Sequence, residues 1–449
     1  MNSSALLEEE TAVEPKPTGI LVGIEGRADD ALPGWFADQQ RAAWAQFRRL
    51  PMPTRTDQAW RFSNIGALDL SPYRLATPVS EKEGRDILER SALLDQTSGR
   101  LVFADDHMLE RDVLPEKLRK AGVIFQPLER ALIEHEDLFR QNFMSQPATL
   151  GSAKFAALHE AFVRSGVFLY IPRGLEIEFP LETFHWLHAE NAAIFPHTLV
   201  VAEEMAKVTL VENFRSTDRQ RPGFACGVND LIVGAGAKVT YICAQDWSEN
   251  ALSIQINATT VARDAAALNL HLALGAKYSR MESLSRLTGE GGRSDMLAVA
   301  VVDGTREFDA RTLQDHASPR TASDLLFKNA LNDRARTTFG GLIRVEPHAH
   351  FTDAYQKVRN LLLSDDSEAN SMPGLEILAD NVRCTHGATS GQLDEDEMFY
   401  LLARGIPAPV ARQLLVGGFL NEVLERLPDP GLMEKLETLI AERFARRAS

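Results

Sequence analysis

The spacing of apolar positions changes character twice along this chain and divides it into three textures. In the first, up to about residue 95, Trp35, Phe36, Ala42, Trp44 and Phe47 recur near helical spacing, and the prolines of PMPTRTDQAW end that run. An acidic leader, MNSSALLEEETAVEPKP, precedes it and is expected to be mobile. A strand-like run at 101–103 opens the second texture, although residues 112–162 hold amphipathic helical stretches such as PEKLRKAG and PLERALIEHEDLFRQNF. From residue 166 to 384 the pattern is β: GVFLYI, HTLVVA, KVTLVENF, LSIQINATTVA and DMLAVAVV are short, rich in Val, Ile and Thr, and separated by Gly, Asp or Asn. The third texture starts at Asp394, whose spacing to Glu397 suits a helix N-cap. Gly405 and Pro407 stop that helix, and Val410, Leu414, Leu415, Phe419, Val423, Leu424 and Leu427 trace an apolar stripe before PDPG and a last helix. The pattern predicts an N-terminal helical domain over 1–95, a β core over 96–389 with helical insertions at about 112–162, and a C-terminal helical domain over 390–449.

Within the β region MAKVTLVE, GAKVTYIC and GAKYSRME recur, with Lys207, Lys238 and Lys277 spaced by 31 and then 39 residues. Imperfect recurrence on this scale fits the stacked coils of a solenoid, and a β-sandwich of many short strands fits it as well.

The chemistry concentrates in residues 352–406, where Cys384 and His386 stand two apart. The run from Ile377 to Thr385, closed by Gly387, reads as a strand entering a turn. Alternation then puts Val382, Cys384 and His386 on one face. A thiolate and an imidazole there suit a soft metal. The spacing alone, a weak pattern, favours the plainer reading in which Cys384 packs as a small hydrophobe and His386 caps the turn. Cys226 and Cys243 lie in apolar or turn contexts and read as structural, and with three cysteines in all the chain cannot supply the four thiolates of an ordinary iron-sulfur cluster. His348 and His350 form an H-x-H pair expected on one strand face, and His185 and His188 are expected to approach across a turn; both pairs read as structural. So does the polar set Asp309, Arg311, Asp315, His316, Ser323 and Lys328, expected to hold turns and inter-coil contacts.

A formal charge of −15 weighs against a nucleic-acid surface. No apolar run approaches the ~20 residues of a membrane span and no secretory h-region is present, so a cytoplasmic location is expected. Walker, zinc-protease and nucleophile-elbow motifs are missing, which leaves ATP hydrolysis and hydrolase chemistry without sequence support.

The block TDAYQKVRNLLLSDDSEANSMPGLEILADNVRCTHGATSGQLDEDEMFYLLARGI closely resembles the signature of the SufB/SufD family of iron-sulfur cluster assembly proteins. HGAT, from His386 to Thr389, resembles the SufD branch, since SufB usually carries a glutamate where this chain has Gly387. Residues 278–342 extend the match, and DQAWRF resembles the family's E-x-x-W-R-Y/F signature with Asp57 for glutamate, Trp60 expected to be buried and Arg61 to cap or pair. His348 and His350 stand where relatives commonly read GAQ, Val358 replaces a common Asn, and Asn381 replaces the second Asp of a usual pair.

The resemblance implies a mainly β fold, a right-handed parallel β-helix core flanked by N-terminal and C-terminal α-helical domains. It implies a non-catalytic scaffold subunit pairing with a SufB-like chain, with Cys384 and His386 as candidate ligands shared with that partner at a nascent, transient cluster that this chain does not hold stably alone. A SufC-like ATPase is expected on the C-terminal helices, through Phe399, Leu414, Phe419 and Val423, and a homodimer is possible for the isolated chain. The alternative from the β pattern is a β-helix polysaccharide lyase or hydrolase.

Overall fold

A computed structural model of the chain describes residues 18–23 and 32–446; the acidic leader lies outside them. The N-terminal unit contains α1 (Gly34–Arg49) and α2 (Glu81–Glu89), joined by short 3-10 turns. In α1 the buried face is Phe36, Gln40, Ala43, Trp44 and Phe47, with Trp44 stacked on Phe47 at 5.1 Å. Ser80 and Glu83 start α2 with a reciprocal capping box, which satisfies amide groups that the first helical turn leaves unpaired.

The connecting region holds β1 (Gly99–Ala104), β2 (His107–Arg111), α3 (Glu116–Lys120), β3 (Ile124–Pro127), α4 (Leu128–Glu134), α5 (Glu136–Asn142) and α6 (Ala153–Phe162). Then come β4 (Gly166–Ile171), β5 (Leu181–Leu187), β6 (Ala192–Ile194), β7 (His197–Ala202), β8 (Lys207–Ser216), β9 (Gly223–Val233), β10 (Lys238–Asp246), β11 (Leu252–Val261) and β12 (Ala266–Ala273). They continue as β13 (Tyr278–Leu287), β14 (Arg293–Val302), β15 (Glu307–His316), β16 (Ala322–Leu331), β17 (Arg336–Val345), β18 (Asp353–Leu362), β19 (Glu368–Ile377) and β20 (Arg383–Gly391). Three helices close the chain: α7 (Glu395–Leu402), α8 (Ala408–Leu424) and α9 (Pro430–Ala445).

From β4 onward the strands alternate between two sheets, one ordered β5-β8-β10-β12-β14-β16-β18-β20 and the other β19-β17-β15-β13-β11-β9-β7-β4, every neighbouring pair parallel. This is a parallel β-solenoid, and the sandwich reading is excluded. Equivalent residues of successive coils are 27 to 31 residues apart, as the partners Lys207, Lys238, Ala266, Arg293, Ala322, Asp353 and Arg383 show. Lys207 and Lys238 are true register partners. Lys277 is not: it precedes β13 in the opposite sheet, because each coil contains two strands and 39 residues overshoot one coil.

The coils turn at a stacked column of left-handed residues, Met205, Gly236, Asp264, Gly291, Arg320, Phe351 and Asn381. Asn381 therefore occupies a position with φ +56°, a conformation Asn tolerates better than most residues. Both faces of each sheet are covered over most of their length, up to the last coils. The interior packs Leu210, Phe214, Tyr241 and Val239 near one end and Ala298, Phe327, Phe339 and Val358 near the other. Outside, Val211, Ile242, Leu270, Leu297 and Leu326 lie under Val416, Leu420, Val423, Leu424, Leu436 and Ile440 of α8 and α9. Double coverage explains why these strands read as near-continuous apolar runs rather than alternating ones.

The polar residues from 278 to 328 do more than hold turns. Arg280 and Arg311 bind Asp309 and the N-terminal segment at Ala59, Arg61 and Ser63, while Lys328 donates to the Phe419 carbonyl and pairs with Glu422. They weld the flanking helical units to the solenoid. Trp60 is buried as expected, but Arg61 is exposed, and its guanidinium lies over the ring of Phe62 with no ion pair among the described residues.

Candidate functional site

The two ends of the solenoid differ. At the start, β2 and β3 run antiparallel against β1 and β4 and close both sheets, with α3, α4 and α5 interleaved. At the finish, β20 and β19 are the outermost strands of their sheets, and among the described residues no strand pairs with their free edges. An outer strand exposes a row of unpaired N–H and C=O groups, which proteins usually cover or interrupt. β19 carries Pro373, a partial interruption; β20 reads RCTHGATSG, small and free of proline.

Cys384 and His386 lie on β20. The strand begins at Arg383 and runs through Gly387 to Gly391, so the expected strand from Ile377 to Thr385 is replaced by the end of β19, the turn at Asn381, and a new strand. Left-handed Asn381 ends the first extended run, and Gly387 sits mid-strand with open space around it. The shared face survives this correction. Cys384 pairs with Ala354 and His386 with Gln356, both buried interior residues of β18, so both side chains face the end of the solenoid bore. Two residues along a strand separate them by about 6 to 7 Å.

Exposure rises sharply across this last coil. Gln356, Val358 and Asn360 are buried in β18, whereas their β20 partners His386, Ala388 and Ser390 are exposed, since no coil follows to cover them. Cys384 is half-buried, packed with Val382 and Ala379 against Ile343, Val345 and Ala354. Burial first, and then the charge of Asp353, push its thiol pKa up from the ordinary value, opposed by the Ala354 N–H. Cys384 is thus held as the neutral thiol, the weaker nucleophile and ligand, until a cation arrives to favour the thiolate. Apolar side chains ring the same end: Leu375, Ile377 and Leu378 are 38%, 40% and 53% exposed.

The remaining candidates fall elsewhere. His348 and His350 lie in the turn between β17 and β18, not on a strand, and His350 Nδ1 is 3.1 Å from the Asp380 carbonyl. His185 and His188 do not meet: His185 faces Glu212 inside the bore at 3.3 Å, and His188 contacts Thr217 and Glu83. Cys226 and Cys243 are buried, and burial raises both thiol pKa values, consistent with packing roles. Among the docking candidates, Phe399 and Leu414 are 70% and 54% exposed, but Val423 is fully buried and Phe419 packs largely against the solenoid. The C-terminal part of the α8 stripe faces the solenoid, which takes Val423 off the surface and leaves Phe419 half-buried, while Val410 and Leu414 at its start stay exposed. A groove of about 350 Å³ beside Phe399, lined also by Leu363, Met398, Leu402 and Arg412, separates α7 from the last coil.

Sequence reasoning missed the polar hub inside the bore, where Glu212 accepts hydrogen bonds from Thr183, Thr198 and Tyr241. Its members come from four strands, and no local spacing announces them.

The sequence profile of the SUF system FeS cluster assembly SufBD core domain matches residues 185–419, and that of the SufBD protein N-terminal region matches 31–183. The chain belongs to the SufB/SufD family of iron-sulfur cluster assembly proteins. It is 29% identical to the iron-sulfur cluster assembly protein SufD of Bacillus subtilis (strain 168), over 92% of this chain and 94% of that one. Against SufB of the same organism the figure is 26%, over 88% and 86%. A SufBD family protein of Synechocystis sp. is 29% identical over 88% of both chains. The ordering agrees with HGAT in favouring the SufD branch, and the family match sets aside the polysaccharide-acting alternative. Among the described residues no helix is long and apolar enough to cross a membrane.

Proposed function

We propose that this chain is a SufD-like, non-catalytic scaffold subunit that pairs with a SufB-like chain through the uncovered end of its solenoid. The observation that carries the reading is the contrast between the two ends: one closed by antiparallel strands, the other left with two free edges, an apolar ring, a half-buried Cys384 and an exposed, bore-facing His386 at the rim. A partner coil with strands set against β20 and β19 would satisfy their backbone groups and bury Leu375, Ile377 and Leu378. His386 is then the residue best placed to contact a nascent cluster, as cargo shared with the partner, because it is exposed where Cys384 is half-buried and protonated. A SufC-like ATPase would dock on the exposed residues of α7 and α8, Phe399 and Leu414, and supply ATP hydrolysis from outside this chain.

The test is co-expression with SufB-like and SufC-like proteins, anaerobic purification, and iron and sulfide analysis of wild type against His386→Ala. Loss of cluster from an intact complex supports the assignment. Unchanged cluster content makes His386 a bystander, and failure of any complex to form overturns the subunit role.

A further inference from the structure

Against a chain of formal charge −15, one cleft is strongly basic. About 430 Å³ in volume, it lies on the outer face of the solenoid between the C-terminal ends of α2 and α9, and Arg90, Arg215, Arg219 and Arg446 line it against one carboxylate, Asp246. Its floor is built by register. Trp186, Arg215 and Asp246 are partners on successive strands β5, β8 and β10, so the coil stacking fixes their spacing.

The single carboxylate is already shared. Asp246 accepts from Arg219 Nη1 at 2.9 Å and from Arg446 Nη1 at 2.8 Å. Arg90 lies over the Trp186 ring at 4.8 Å and donates to the Thr217 carbonyl, an orientation along the cleft rather than back onto the carbonyls of its own helix. Arg219 Nη2 is buried without a hydrogen-bond partner, although a buried guanidinium N–H left unpaired is costly. Arg215, half-buried over Phe184, makes no ion pair within 4.0 Å among the described residues. Burial lowers its pKa from the ordinary value and the like charge of Arg446 pushes the same way, against the pull of Asp246 and the weaker pulls of Glu442 and Glu182. Arginine nevertheless stays protonated, so four guanidinium groups line the cleft against one lining carboxylate, with Glu442 and Glu182 acting only from outside the lining.

We propose that this cleft is a binding site for the phosphate group of a small molecule, with Arg215 and Arg219 as its principal donors and Arg90 at its mouth. A phosphoryl dianion suits it better than a single carboxylate, because its three acceptor oxygens accept from several guanidinium forks at once and its double charge offsets more of the excess. The three contributing regions are the N-terminal unit, the solenoid and the C-terminal helices, so the bound anion bridges all of them. This inference is independent of the assembly role proposed above.

The test is calorimetric titration of the full chain at constant ionic strength with inorganic phosphate, glycerol 3-phosphate and ADP, each followed also by tryptophan fluorescence in wild type and Trp186→Phe. At least one of the three is expected to bind with a Kd below about 1 mM, with weaker binding at higher salt. The ranking of the three distinguishes free phosphate from an organic phosphate ester. Arg215→Gln is expected to weaken that binding about tenfold or more, the loss of one charge-assisted contact, while Arg85→Gln on the exposed face of α2 leaves it unchanged. Because Arg215 is half-buried, Arg90→Gln serves as the second variant, its side chain being exposed, and melting without ligand verifies folding of both. Absence of binding by all three probes, or equal affinity in Arg215→Gln and Arg90→Gln, overturns the proposal.

Discussion

Replacing Arg280 with Met tests whether the N-terminal segment is welded to the solenoid by a buried charge cluster. The Arg280 side chain is fully buried, donates to Glu282 and Asp309 at 2.6 Å each, reaches the carbonyls of Ala59 and Leu150, and lies 3.7 Å from the ring centre of Trp60. Methionine fills much of the volume but strips both carboxylates of their main counter-ion. Asp309 keeps Arg311, and Glu282 keeps only the Ser152 amide and hydroxyl. Removing one partner of a buried ion pair costs about 3–5 kcal/mol, because the other charge remains desolvated. An unfolding entropy of roughly 2.1 cal/mol/K per residue makes the slope about 1 kcal/mol per degree for a chain of this size, so the melting temperature should fall by about 3–5 °C if unfolding is cooperative. Scanning calorimetry of Arg280→Met, Glu282→Gln and the double variant checks the sign of the coupling. The double variant should recover part of the loss, since the neutral amide introduced by Glu282→Gln retains contacts with Ser152 and leaves no uncompensated charge there. A fall of less than about 1 °C, or a double variant as unstable as the sum of the singles, refutes the charge-cluster argument.

Three further outcomes are expected. Ile377→Lys should abolish co-purification with the SufB-like partner while leaving the melting temperature within about 1 °C, since the side chain is already 40% exposed; pull-down and calorimetry together decide it. Leu420→Ala should destabilise the C-terminal helices by about 2–5 kcal/mol, whereas Phe399→Asp should leave stability intact and reduce capture of the SufC-like protein. Burial holds the pKa of His271 down at about 4, so the unfolded chain binds its proton more readily than the folded one does. Stability contributed by neutral His271 is therefore complete above about pH 6.5 and is lost as pH falls from there toward 4, and His271→Leu should flatten that part of the acid limb in melts recorded across the window.

How much of this was legible in the sequence depended on how local each signal is. Lys207 and Lys238 exposed the coil repeat because they occupy equivalent turns on neighbouring coils. Lys277 misled, because coil length varies and a second strand per coil offers equivalent-looking positions in the other sheet. The shared face of Cys384 and His386 was readable from strand alternation. The start of their strand was not, although Asp380 and Asn381 interrupt the apolar run, because the left-handed turn at Asn381 belongs to a column of turns contributed by earlier coils. The stripe on α8 announced burial without saying against what; Val423 proved to face the solenoid. Nothing local pairs Ser63 with Asp309, or Asp246 with Arg446 some 200 residues later, so the welds and the basic cleft emerge only from the fold.

Under the proposed role, the same geometry accounts for why one chain alone would be an incomplete site. Coil stacking satisfies every interior strand by the coil that follows, and with no coil over β20, His386, Ala388 and Ser390 are exposed above the buried Gln356, Val358 and Asn360. The neighbouring thiol gains nothing from the chain's own charges: burial and Asp353 both keep Cys384 protonated. A pairing partner would change both conditions together, supplying the strand that covers the rim and a cation or metal close enough to stabilise the thiolate. Under the proposed role, cluster chemistry at this end is thereby coupled to subunit pairing, and an isolated chain with an intact fold should react sluggishly at Cys384 with thiol reagents.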